Sequence, residues 1–206
     1  MSTPEYWPQA TRDLAARDAV LRGLIERFQG LALARRGDAF TTLARSIVGQ
    51  QISVKAAQSV WDRLSDRLGA VTPELLLRSR KPTLKACGLS GQKADYLKDL
   101  AKRSLDGALD TKRWHALDDE ALIGELTQVR GIGRWTAEMF LMFHLARPDV
   151  LPLADLGLQR AMRLHYNRGR PLSDARMRKI GAVWAPWRSV ATWYLWRSLD
   201  PIPVEY

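Results

Sequence analysis

Asp155 is the carboxylate in this sequence whose surroundings best suit catalysis. It follows the apolar stretch 150–154 and directly precedes a predicted helix that begins near Leu156. A fixed carboxylate in a partly apolar cleft can stabilise positive charge on a substrate or orient a water molecule. Aspartate is also a preferred residue at the start of a helix, where the helix dipole favours negative charge, so a structural role as an N-cap explains the same position. The two roles are compatible.

A glycine-rich break between two predicted helices could bind an anion. Its sequence is Arg130-Gly131-Ile-Gly133-Arg134. The two glycines allow the backbone to turn with positive φ and remove side chains that would block a close approach. The N–H groups of the turn and of the following helix then point outward, and a phosphate flanked by the two arginines is their natural ligand. An ordinary helix corner that uses glycine as a C-cap explains the same pattern.

Tryptophan is abundant, with eight in 206 residues, and four of them lie between positions 184 and 196. Most tryptophans are core residues. An indole face also attracts a cation by about 0.5–2 kcal/mol. Met139 follows Trp135 by one helical turn and shares its helix face. Core packing and contact with a cationic ligand therefore both remain possible for these side chains.

The formal net charge is +10, from 32 Lys and Arg against 22 Asp and Glu. This excess favours a polyanionic partner because each neutralised phosphate releases counterions, although a generic basic surface has the same composition. The only cysteine is Cys87 and the three histidines lie far apart, so we expect no metal site. Five basic side chains could extend a DNA-binding face or be ordinary solvated charges: Lys55, Lys93, Lys98, Lys102 and Arg103.

The elements that must position these residues are helices. Apolar residues recur at three- and four-residue spacing almost throughout, and strand patterns are nearly absent. The pattern predicts an all-α fold of about ten short helices with short connections. It shows no signal peptide and no apolar run long enough to span a membrane, so we expect a protein that is not secreted. The predicted helices cover residues 9–28, 38–48, 53–68, 72 onward, 92–105, 118–129, 134–145, 156–165, 173–184 and 187–198.

Four motifs occur in an order that resembles one protein family. They are residues 47–53, residues 93–97, the hairpin (residues 126–137) followed by Asp155, and residues 184–189. Together they resemble the helix-hairpin-helix (HhH-GPD) DNA glycosylase superfamily, and within it the DNA-3-methyladenine glycosylase II branch, over residues 38–198. Four ordered motifs are far more specific than any one of them.

The resemblance implies a two-lobed helix-hairpin-helix glycosylase fold with the active-site cleft between the lobes. Residues 1–206 would form a single HhH-GPD glycosylase domain. Lobe one would comprise approximately 1–37 and 155–206. Lobe two would comprise approximately 38–154 and carry the hairpin.

The resemblance also implies a monofunctional DNA glycosylase that acts in base excision repair. Such an enzyme hydrolyses the N-glycosidic bond of alkylated purines, such as 3-methyladenine and 7-methylguanine, after they are flipped out of duplex DNA. Asp155 matches the family's catalytic aspartate. Relatives that also cut the strand carry a lysine where this chain has Trp135, 20 residues before Asp155, so we expect no lyase activity.

Matching positions assign the base pocket and the DNA contacts. Trp135, Met139 and Trp196 would form the pocket. Gln51 matches the residue that inserts into the gap left by the flipped base, with Gln50 as its support, although a solvent-facing polar residue at a helix end is the alternative. The expected DNA-binding residues are Gln50, Gln51, Arg130, Gly131, Ile132, Gly133, Arg134 and Thr136.

The expected partner is double-stranded DNA that contains alkylated bases. The resemblance implies a monomer without an iron–sulfur cluster that acts in the cytoplasm, associated with the nucleoid, or in the nucleus. It allows a structural monovalent cation at the hairpin, bound by backbone carbonyls. Two other functions stay open. A noncatalytic DNA-binding module would need the hairpin but not Asp155, and a glycosylase for oxidised or mismatched bases is disfavoured by Trp135.

Overall fold

A computed structural model describes residues 3–34 and 37–199. Within these ranges it contains thirteen helices and no strand, which confirms the all-α prediction. None of the described helices is long and apolar enough to cross a membrane. The helices are α1 (Trp7–Arg17), α2 (Ala19–Arg27), α3 (Ala39–Gly49), α4 (Val54–Leu68), α5 (Pro73–Arg78), α6 (Lys81–Ala86), α7 (Gly91–Leu105), α8 (Thr111–Trp114), α9 (Asp119–Leu126), α10 (Arg134–Phe143), α11 (Leu156–Tyr166), α12 (Asp174–Ala182) and α13 (Arg188–Leu199).

Asp18 divides the first predicted helix into two, so the prediction of a continuous helix over 9–28 is wrong. The Asp18 backbone is extended (φ −138°, ψ 114°), and its carboxylate accepts hydrogen bonds from the N–H groups of Val20 and Leu21. The apolar spacing continues across this break, because both helices bury a face in the same core. Helices α6 and α8 account for the other two elements beyond the predicted ten.

Short polar side chains at the helix starts explain where many of the helices begin. Each accepts a hydrogen bond from an N–H in the first turn that has no partner within the helix. Such N-caps are Asp38 of α3, Ser53 of α4, Thr72 of α5, Ser90 of α7, Asp118 of α9, Asp155 of α11 and Ser173 of α12.

The described chain forms two compact units. The terminal unit joins residues 3–34 to 141–199, and the central unit comprises residues 37–140 and contains the hairpin. The predicted lobes group residues 141–154 with the hairpin, whereas the compact units group these residues with the two ends of the chain. The division into two lobes stays a prediction.

The core of the terminal unit is built from α1, α2, α11 and α13, which pack against one another. Trp7 meets Trp193 edge to face at 5.2 Å between ring centroids. The Asp18 carboxylate accepts hydrogen bonds from the Tyr166 hydroxyl (2.8 Å) and from Trp184 Nε1 (3.0 Å). One carboxylate thus caps α2 and joins it to two segments near the other end of the chain.

Helix α7 is the centre of the central unit. It packs against α3, α5 and α6. Its buried face consists of Ala94, Leu97, Leu100 and Ala101. Because α7 is held on several sides, its polar residues at the rim of this face have well-defined positions from which they contact the hairpin and the end of α3.

Candidate DNA interface and catalytic carboxylate

The hairpin turns at Gly131, whose φ is +87°. The following Ile132 donates its N–H to the Val129 carbonyl (3.0 Å) and is buried. A Cβ at position 131 would overlap the Tyr96 ring, 2.5 Å from Cγ and closer still to Cδ2. Glycine is therefore required at 131 both by the backbone angle and by the aromatic ring beneath it.

Gly133 differs from Gly131, and the expectation that both glycines turn with positive φ is wrong for it. Gly133 lies outside the positive-φ region, is exposed, and has no atom within 4 Å of a Cβ built there. Its missing side chain serves no packing purpose inside the chain. What it leaves is bare, accessible backbone at the start of α10.

The two arginines beside the turn have different surroundings. Arg130 is exposed, and its backbone N–H donates to Asp99 Oδ2 (2.9 Å). The Arg134 guanidinium makes two hydrogen bonds to the Glu120 carboxylate and one to Glu138 (3.0 Å), which raises the pKa of Arg134 and lowers that of Glu120. These carboxylates offset the charge of Arg134, so Arg130 is the better placed of the two to attract a phosphate.

Two of the predicted DNA-binding residues turn their side chains inward. Ile132 is 4% exposed and Thr136 is 6% exposed. Contacts from these positions would have to come from the backbone. The Gly131 carbonyl already accepts a hydrogen bond from Gln50, and the Val129 carbonyl accepts one from Ile132. The structural monovalent cation at the hairpin stays a prediction.

The turn after α3 brings Gln50 and Gln51 beside the hairpin. Gln50 Nε2 donates to the Gly131 carbonyl at 2.7 Å. Gln51 has φ +59° and is exposed. Lys93 Nζ donates to the carbonyls of Val48 (2.7 Å) and Gln50 (2.6 Å), so this lysine is bound to the turn. This contact could not be predicted from the sequence, because residue spacing alone does not reveal acceptors more than 40 residues away.

The Asp155 carboxylate is buried at 9% exposure and fixed by two donors. Its Oδ1 accepts the N–H of Leu158 (2.6 Å), which makes Asp155 the N-cap of α11, and it also accepts Trp196 Nε1 (2.7 Å). A Cβ at Gly157 would lie 3.1 Å from both Asp155 Oδ1 and Trp196 Cδ1. The small residue at 157 leaves room for this contact.

The predicted pocket residues are positioned by two different units. Trp196 stacks on Phe143 (6.0 Å between centroids, 12° between planes) and binds Asp155 in the terminal unit. Trp135 is 37% exposed and Met139 is 7% exposed, both on α10 next to the hairpin.

Within the described ranges, no group of three or more His, Cys, Asp or Glu side chains could hold a metal ion.

Comparison with known proteins identifies the family to which this chain belongs. Residues 44–186 match the family model described as HhH-GPD superfamily base excision DNA repair protein. DNA-3-methyladenine glycosylase 1 of Schizosaccharomyces pombe is 36% identical over 163 residues, which cover 77% of this chain and 72% of that protein.

Two solved structures have the same fold over nearly the whole chain. A DNA-3-methyladenine glycosidase from Bacillus halodurans has a TM-score of 0.85 and 34% identity, and the match covers 93% of this chain and 89% of that one. The 3-methyladenine DNA glycosylase of S. pombe, solved in complex with abasic DNA, has a TM-score of 0.80 and 30% identity, with 96% and 98% covered.

Proposed function

Because this chain belongs to the HhH-GPD superfamily of base excision DNA repair proteins, we propose that it is a DNA glycosylase that releases alkylated purines without cutting the strand. The names of its relatives support the substrate class, since they are 3-methyladenine glycosylases. The observation that carries the proposal is the buried Asp155 carboxylate, held by Leu158 and Trp196 on one oxygen.

The reaction breaks the bond between the purine nitrogen and C1′ of the sugar. The electron pair leaves with the base, C1′ gains positive charge, and water supplies the new C–O bond. Asp155 stabilises the positive sugar and orients the water, whose proton passes to the carboxylate or to solvent. An alkylated purine that already carries positive charge needs no acid to protonate it, so one carboxylate suffices.

The proposed absence of strand cleavage rests on Trp135. Strand cutting by this superfamily proceeds through an imine between a lysine amine and C1′. The family resemblance assigns Trp135, which is 37% exposed, to the position of that lysine. An indole cannot form an imine, but its face suits a cationic purine. Trp135 and Met139, both on α10, would contact the base, and Trp196 would hold the Asp155 carboxylate through its indole N–H.

The hairpin and the Gln50–Gln51 turn are the proposed DNA grip. The bare backbone at Gly133 and the N-terminus of α10 would approach a phosphate closely, with Arg130 adding charge. Gln51, exposed at a positive-φ position, would fill the gap left by the extruded base. The enzyme would act on duplex DNA as a monomer and without an iron–sulfur cluster. It would do so in the cytoplasm, associated with the nucleoid, or in the nucleus.

Base release from methylated DNA tests the proposal. We expect wild type to release 3-methyladenine or 7-methylguanine, and Asp155→Asn to lose roughly 10²–10⁴-fold in single-turnover rate while still binding duplex, because the amide keeps the cap but not the charge. Asp118→Asn, at the exposed N-cap of α9, is the matched control and should keep full activity.

Several other results would contradict parts of the proposal. Full activity of Asp155→Asn, or no base release by wild type, would refute the catalytic assignment and leave a DNA-binding module. A protein–DNA adduct trapped by borohydride, or strand breaks without alkali, would refute the absence of lyase activity. Release of oxidised rather than methylated bases would replace the substrate class.

A further inference from the structure

Lys93 binds the turn that carries Gln51. Its ammonium donates to the carbonyls of Val48 and Gln50, 45 and 43 residues earlier in the chain. These carbonyls lie at the C-terminal end of α3, where no further helical N–H is available to donate to them. Burial lowers the pKa of Lys93, which agrees with a position partly withdrawn from water.

The turn held by Lys93 is also tied to the hairpin. The backbone carbonyl of Gln50 accepts a hydrogen bond from Lys93. The side chain of the same residue reaches the hairpin, where its Nε2 donates to the Gly131 carbonyl. A short path of hydrogen bonds therefore runs from Lys93 through Gln50 to Gly131. All three residues lie in the central unit.

Helix α7 contacts the hairpin at two further points on successive turns. The Tyr96 ring lies under Gly131, and Asp99 accepts the Arg130 N–H. Lys93, Tyr96 and Asp99 are spaced three residues apart and so lie on neighbouring positions of one side of α7. One rigid helix thus supports both the Gln50–Gln51 turn and the hairpin.

We propose that Lys93 is a positioning residue for base extrusion, which fixes the Gln50–Gln51 turn relative to the hairpin so that Gln51 enters the gap left by the flipped base. This inference rests on the proposed function. It replaces the interpretation of Lys93 as a solvated or phosphate-binding charge, because its ammonium is engaged by two carbonyls at 2.6 and 2.7 Å.

The first test compares Lys93→Met in duplex and in single-stranded methylated DNA. Extrusion from duplex costs a few kcal/mol that gap filling offsets, whereas a single strand leaves no gap. We expect the single-turnover rate in duplex to fall about tenfold or more and the rate in single strands to stay near that of wild type. Lys98→Met is the matched control, since Lys98 is on the same helix and donates to the Leu77 carbonyl instead.

The Lys93→Arg variant separates the position of the donor group at residue 93 from its charge. Lys93→Arg keeps the charge, but its planar guanidinium cannot reproduce the geometry of a lysine that binds both carbonyls. We expect the same duplex-specific loss as in Lys93→Met, with an unchanged dependence of DNA affinity on salt. Full duplex activity in Lys93→Arg, together with a reduced salt dependence in Lys93→Met, would assign Lys93 to a phosphate contact and overturn the proposal.

Combination with Gln51→Ala tests whether the two residues act together. If Lys93 works by placing Gln51, the double variant should be no slower in duplex than Gln51→Ala alone. Additive losses, or equal losses in duplex and single strands, would overturn the proposal. Thermal unfolding of each variant separates these results from loss of fold.

A fluorescence measurement that does not depend on base release tests the role of Lys93 independently of the proposed chemistry. In a duplex with an abasic site, 2-aminopurine next to the gap reports its filling by a change in fluorescence. We expect wild type and Lys98→Met to change this signal and both Lys93 variants to change it less. If wild type released no base but both Lys93 variants changed the signal less than wild type did, the proposed function would fail while the role of Lys93 stood. Equal signals in wild type and both Lys93 variants would overturn that role.

Discussion

At the scale of single residues, the Asp155 carboxylate oxygen that caps α11 also binds Trp196. The Trp196 indole therefore has a role besides the base contact that the resemblance implies. Its N–H fixes the rotation of the carboxylate, while its ring is held by Phe143. Neither role could be predicted from the sequence, since Phe143 and Asp155 are 53 and 41 residues away from Trp196.

Replacing Trp196 by phenylalanine should separate the two roles. The ring remains stacked on Phe143, but the hydrogen bond to Asp155 is lost. A hydrogen bond to a charged group contributes about 1.5–3 kcal/mol, so we expect single-turnover base release to fall by roughly ten- to a hundredfold with unchanged duplex affinity. Trp187→Phe, which loses an indole bond to Asp13 instead, is the control. An unchanged rate in Trp196→Phe would show that the hydrogen bond from Trp196 is not needed to orient the carboxylate.

His165 gives the terminal unit a predictable pH dependence. Burial, and secondarily the charge of Arg27, lower its pKa in the folded state. The unfolded chain therefore takes up this proton first, and the folded state loses stability as the pH falls below about 6.5, until His165 is also protonated in the folded state.

Removing His165 should weaken this effect. In His165→Gln we expect the melting temperature to fall less steeply between pH 7 and pH 5 than in wild type, as measured by thermal unfolding. The exposed His115→Gln is the control for replacing a histidine as such. Parallel curves for wild type and His165→Gln would contradict the assignment.

At the scale of elements, the two hairpin glycines should respond differently to alanine. Gly131→Ala forces a Cβ into the Tyr96 ring at positive φ, so the free energy of unfolding should fall by about 1–3 kcal/mol from backbone strain alone, and further from the overlap. Gly133→Ala meets open space and should keep wild-type stability but weaken duplex binding, because its methyl group blocks the approach of a phosphate.

Denaturant unfolding and a duplex-binding titration measure these two effects. Equal stability losses in both variants would contradict the packing described around them. Wild-type affinity of Gly133→Ala would remove the exposed backbone of Gly133 from the proposed DNA contacts.

The sequence predicts elements better than the contacts between them. Helical spacing and capping residues are local, so most helix positions and the hairpin could be derived. The helix break at Asp18 could not be derived, because the apolar spacing continues across it. The pairing of Arg134 with Glu120 and the hydrogen bonds of Lys93 join residues that only the folded chain brings together. From the sequence, Arg134 is therefore predicted to bind DNA, and Lys93 either to extend a DNA-binding face or to be an ordinary solvated charge.

At the scale of the whole molecule, Asp18 joins the two ends of the chain within the terminal unit. It caps α2 and accepts bonds from Tyr166 and Trp184. We expect Asp18→Ala to lower the free energy of unfolding by about 2–4 kcal/mol, since the cap and the partner of two largely buried donors disappear together.

Asp118→Ala is the control for loss of a cap alone. Asp118 caps α9 from an exposed position, so its removal should cost only about 1 kcal/mol. Chemical denaturation measures both variants. Equal effects would mean that the bonds of Asp18 to Tyr166 and Trp184 contribute nothing to stability.

The division of the terminal unit between the two ends of the chain also sets an order of events during translation. Residues 37–140 leave the ribosome as one continuous segment, so the central unit, with α7 and the hairpin, can fold while synthesis continues. Helices α1 and α2 emerge before this segment but must wait for α11 and α13, their partners in the core. The apolar faces of α1 and α2, including Trp7, Leu14 and Leu21, are therefore completely covered only after α13 has been made, and we expect them to bind chaperones until then.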